Sequence, residues 1–70
     1  MKLFERYPEV RRVIVNLKTD RAFRGVLWQR RRGYLLLRNA EILKPRGETA
    51  PVDGEVMIMS DNIDFIQVVG

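Results

Sequence analysis

The chain carries no histidine and no cysteine among its 70 residues. That removes the commonest general base, the commonest metal ligand and every thiolate site. Its nine carboxylates are scattered. Asp61 and Asp64 lie three apart across a turn, which suits capping of backbone amides better than paired acid and base work. No phosphate-binding or dinucleotide glycine pattern is present. These residues point away from an enzyme and offer no catalytic group, cofactor site or metal site. The side chains with chemistry to offer are basic and aromatic instead. Arg30-Arg31-Arg32 form a run, flanked by Trp28 and Tyr34. Arginine forks phosphate oxygens and stacks on planar groups, and aromatic rings stack on unpaired bases. Such a cluster suits single-stranded nucleic acid held by charge and stacking. The same run would also serve as a solvated hairpin tip, and Trp28 as a packing residue.

The whole chain leans the same way. Ten arginines and three lysines against nine acids leave a net charge of +4. Hydrophobic content of 46% suits a packed domain. No apolar run approaches the roughly 18 residues of a membrane span. The first residues, Met1-Lys2-Leu3-Phe4-Glu5-Arg6, lack the apolar stretch of a secretion signal, so the expected location is the cytoplasm. Seventy residues make a single domain, 1–70. A domain of this size buries only about 60% of its unfolded surface. Without disulfides, the most available source of extra stability is assembly with further copies.

The elements that would position the cluster read as strands. Residues 1–6 can form a short helix, closed by Pro8. Five strands follow, at 10–18, 21–29, 34–44, 55–59 and 63–69. In the first, Val13, Val15 and Leu17 share one face. In the second, Phe23, Gly25 and Leu27 share one face, and Arg24, Val26 and Trp28 the other. Gly25 in mid-strand marks a bend or a close backbone approach. Leu35-Leu36-Leu37 implies cover on both faces. Arg30-Arg31-Arg32-Gly33 reads as a basic turn, and residues 45–54, with two prolines and two glycines, as the longest loop. Five short antiparallel strands in so few residues suggest a mainly β, SH3-like or OB-like small barrel.

Two stretches carry a resemblance. Phe23-Arg24-Gly25-Val26-Leu27 and Leu35-Leu36-Leu37-Arg38-Asn39-Ala40, in this order and spacing, are similar to the first motif of the Sm-like proteins. Met57-Ile58-Met59-Ser60-Asp61-Asn62-Ile63 stands where that family has its second motif. The resemblance implies a short N-terminal helix and a strongly bent five-stranded antiparallel sheet. It also implies ring assembly, here of five to seven copies, in which the fourth strand of one subunit pairs with the fifth of the next. An open sheet has two unpaired edges, and joining unlike edges head to tail closes a ring when the rotation fits. The edge residues would be Val56, Ile58, Phe65, Ile66 and Val68.

The resemblance further implies RNA binding, with departures. The family's uridine pocket uses an asparagine, an aromatic or histidine, and an arginine; these slots map to Tyr34, Arg32 and Met59. Uridine-specific recognition is therefore not carried over. What replaces it is a basic collar of Arg30, Arg31 and Arg32 on the pore side, with Tyr34 and Trp28 beside it for stacking. Altered pockets of this kind resemble those of bacteriophage-encoded members. Two other readings stay open: a scaffold ring without nucleic acid, and an SH3-like protein-interaction module using Trp28 and Tyr34.

Overall fold

The computed structural model describes residues 11–70. The expected helix at residues 1–6 lies outside the described residues. Among the described residues six strands form one antiparallel sheet: β1 Arg11–Leu17, β2 Ala22–Arg31, β3 Tyr34–Leu43, β4 Thr49–Pro51, β5 Val56–Met59 and β6 Ile63–Val68. Their order is β4-β3-β2-β1-β6, with β5 also paired to β3.

The sheet curls strongly but stays open, because β2 and β3 are long and bent. Their ladder breaks register twice, between Arg24 and Val26 and between Leu27 and Gln29. At the first break Asn39 of β3 adopts a left-handed backbone, with φ +52. Gly25 lies directly against it. A Cβ at position 25 would sit 3.1 Å from both the Ala40 Cα and the Arg38 carbonyl oxygen. Register breaks of this kind bend a strand and raise its twist. The bend folds one face inward. There Val13, Val15, Leu27, Leu35, Leu37, Ala40 and Ile58 form the core, with Leu17, Phe23, Val56, Ile63 and Ile66 packed against it.

Six strands replace the five expected, and the difference lies in residues 45–54. The turn after β3 is confined to 44–48, closed by the Lys44 N–H donating to the Glu48 carbonyl at 2.7 Å. The chain then runs back along β3. Glu41, Ile42 and Leu43 pair with Pro51, Ala50 and Thr49. The Val52 N–H extends the ladder to the Ala40 carbonyl at 2.9 Å. After a break at Gly54, φ +77, the path resumes with Val56 opposite Leu37. So β4 and β5 are two lengths of one path along one edge of β3. Pro51 made this segment look like loop; an edge strand tolerates it because no outer partner needs its missing N–H.

The basic turn is also shorter than expected. Arg30 and Arg31 end β2, and only Arg32 and Gly33 turn the chain. Gly33 supplies the positive φ, +92, that so tight a connection needs.

Candidate nucleic-acid and assembly surfaces

The hairpin tip gathers part of the expected cluster. Arg31 pairs with Tyr34 across β2 and β3, and Tyr34 pairs with Met59 across β3 and β5. Directly opposed residues share a face of the sheet. Arg31, Tyr34 and Met59 thus form one row across three strands, on the side away from the core. Arg32, exposed in the turn, follows Arg31 directly. The Ser60 N–H donates to the Gly33 carbonyl at 2.9 Å. That bond fastens the Ser60–Asn62 helical turn to the arginine tip. A second bond, from the Lys18 N–H to the Asn62 carbonyl at 2.8 Å, ties in the β1–β2 turn.

The arginine run itself is divided. Arg30 pairs with Leu35, whose side chain is in the core. Arg30 therefore leaves β2 on the face opposite the Tyr34 row. The second register break lies between Arg30 and the core strands, and it shifts the two-residue alternation that sequence reading extrapolates.

Trp28 does not join the tip. It occupies the register break between Leu27 and Gln29 and is 43% exposed. The Arg38 guanidinium carbon lies 3.8 Å from its ring centroid. Arg38 Nε in turn donates to Glu55 Oε2 at 2.7 Å. Both members of that ion pair are well exposed, so it adds little stability by itself. Neither Arg38 nor Glu55 stands out in the sequence as a binding residue. The bulge that carries Trp28 over Arg38 has no signature there either.

Two strand edges stand open among the described residues. β4 and β5, two lengths of one edge, pair only with β3, and β6 pairs only with β1. Of the side chains expected at these edges, Phe65 and Val68 are exposed. Val56 and Ile66 are half-buried against the core, and Ile58 lies within it. Ile58 can therefore meet a partner only through its backbone. Met57 and Met59 are exposed, 57% and 49%, and alternate with Val56 and Ile58 along β5. Strict strand alternation could have found them.

No protein-family model and no curated protein matches this chain. Among solved structures it is similar to a heptameric archaeal Sm protein. The TM-score is 0.76 at 28% identity, over 86% of this chain and 87% of that one. It is also similar to the P. aerophilum SmAP1 heptamer. There the TM-score is 0.84 at 24% identity, over all of this chain and 93% of that one. The fold is Sm-like: mainly β, built from one bent antiparallel sheet. No helix of the described residues is long and apolar enough to cross a membrane.

Proposed function

We propose that this chain assembles head to tail into a closed ring through the outer edges of β5 and β6. The ring binds RNA, or another single-stranded nucleic acid, at its arginine tips. It is a binding assembly of the cytoplasm and not an enzyme.

The observation that carries the binding role is the Arg31–Tyr34–Met59 row, set beside Arg32 and fastened to the Ser60 turn. It offers two guanidinium groups for phosphate and one aromatic face for a base. Neither Tyr34 nor Met59 can present the amide and guanidinium pair of a uridine-reading pocket. Base recognition at this row is accordingly tolerant of sequence, and the protein is a divergent form of its fold. Ring assembly is supported by the two unpaired edges with their exposed apolar side chains. Both structural relatives are heptamers, which supports a ring of five to seven copies here.

Light scattering on the purified protein, with absorbance at 260 and 280 nm on the same peak, tests the assembly and its cargo together. One species of five to seven subunits with nuclease-sensitive 260 nm absorbance is the expected result. Binding to a labelled single strand then falls with rising salt. Replacing Arg31 and Arg32 by alanine lowers the slope of log affinity against log salt by about 0.7 for each phosphate that is no longer neutralised. An unchanged slope would remove these arginines from the binding surface.

A second reading, a scaffold ring without nucleic acid, draws on the same uncharged Tyr34 and Met59. A ring that neither carries nucleic acid nor binds added oligonucleotide would select it. A monomer in solution would select a protein-interaction module.

A further inference from the structure

We infer that Trp28, Arg38 and Glu55 form a second nucleotide contact, a stacking platform for one unpaired base, separate from the arginine tip. The inference rests on the proposed binding of single strands and adds a site to it.

The geometry is unusual for three exposed side chains. Arginine normally keeps its rotamer freedom at a surface, and ordering it costs conformational entropy. Here Arg38 is ordered from two sides. Trp28 lies under its guanidinium at 3.8 Å, and Glu55 holds its Nε at 2.7 Å. Trp28 reaches that position because a register break re-aims it. Glu55 reaches it because the chain breaks at Gly54, just ahead of β5. Two irregularities, one within β2 and one in the connection between β4 and β5, thus converge on one guanidinium. Arg38 and Glu55 each keep 44% of their side chains exposed. The result is a guanidinium held against an indole and still open to solvent.

Its chemistry selects a base over a phosphate. Glu55 neutralises Arg38 and would repel a second anion. A guanidinium plane backed by an indole still offers an open face for stacking, the way unpaired bases are commonly held. Because the platform is formed in advance, a base docking there does not have to order it.

The location suits the same strand that the tip would hold. Tyr34, Leu36 and Arg38 alternate with buried Leu35 and Leu37, so they share the outward face of β3. Tyr34 and Arg38 are four residues apart, about 13 Å along a strand. A single strand bound at Tyr34 can place a neighbouring base at Arg38 within a few nucleotides.

Trp28 is the only tryptophan of the chain, so intrinsic fluorescence reports on the platform alone. The experiment titrates the assembled protein with 12-nucleotide oligo(A) and oligo(U), following tryptophan emission and, separately, anisotropy of a label on the oligonucleotide. Expected are a change in Trp28 emission on binding and a loss of about tenfold in affinity for Trp28→Ala, with the salt slope unchanged. Arg38→Lys keeps the charge and loses the plane, and is expected to weaken binding to a similar degree. Light scattering verifies that each variant still assembles. Should Trp28→Ala fail to, Arg38→Lys and the emission change decide. Binding by anisotropy with silent tryptophan and undiminished affinity in Arg38→Lys overturns the platform and leaves the tip as the binding site. No binding of either oligonucleotide by the wild-type assembly overturns both.

Discussion

Phe65→Lys combined with Val68→Lys is expected to convert the assembly into single subunits. The mass by light scattering should fall from that of the proposed ring, about 41 to 57 kDa for five to seven copies of 8.2 kDa, to that of one chain. Both side chains are exposed on β6, the last strand of the sheet, whose outer edge has no partner among the described residues. An edge strand invites a second strand to pair, and lysine is the residue that blunts such edges. Pairing with a neighbour's β5 would bury Phe65 on the outward face with Met57 and Met59, and Val68 on the opposite face beside Val13, removing apolar surface worth about 25 cal/mol for each Å². Two lysines at those positions would have to be buried as charges or keep the edges apart. Every interface in a ring is the same interface, so weakening it once weakens all of them. The released subunit should also unfold more readily, since a chain of this length has little core to spare. A double variant that keeps the wild-type mass would refute pairing through β6.

The second large effect is expected at Gly25. Gly25→Val should destabilise the protein by about 3 kcal/mol, or prevent folding altogether. The cause is local crowding. A Cβ at this position would meet the Ala40 Cα and the Arg38 carbonyl oxygen at 3.1 Å, and the Ala40 Cβ at 3.3 Å. Two of those three atoms are backbone and cannot turn aside. They belong to the stretch where Asn39 already holds a left-handed φ of +52, so the strand has little room to shift. Gly25→Ala should cost less, because only one atom must be accommodated. Urea unfolding at one fixed protein concentration measures both variants, since assembly ties stability to concentration. With a slope of about 1 kcal/mol per molar urea, the valine variant's midpoint would drop by roughly 3 M. A valine variant as stable as wild type would mean that the close approach does not dictate glycine here.

The two expectations depend on different kinds of information. The place of Gly25 inside a strand was readable from its neighbours. Phe23, Gly25 and Leu27 alternate with Arg24, Val26 and Trp28, and a glycine within such a pattern signals a bend or a close approach. The same alternation marks Val13 and Val15 as inward residues, and both are fully buried. By contrast, the edge side chains were only partly readable. Val56 and Ile58 looked like partner-facing residues because they are apolar. They are instead drawn into or against the subunit's own core, and the alternation leaves Met57 and Met59 outside.

What the sequence by itself determined is whatever repeats locally: strand faces, turn chemistry at Gly33 and Gly54, the basic balance, and the absence of histidine and cysteine. These follow from single residues and their immediate neighbours. Only the tertiary structure decided where register changes. One register break carries Trp28 over Arg38 and sets which arginine of the run joins the Tyr34 row. A turn shorter than its prolines suggest lets β4 form along β3 and brings Glu55 to Arg38. Register is set by pairing between distant segments, and a shift of one residue exchanges the faces of all that follow. No local pattern carries that information, and the candidate binding surface lies where the shifts occur.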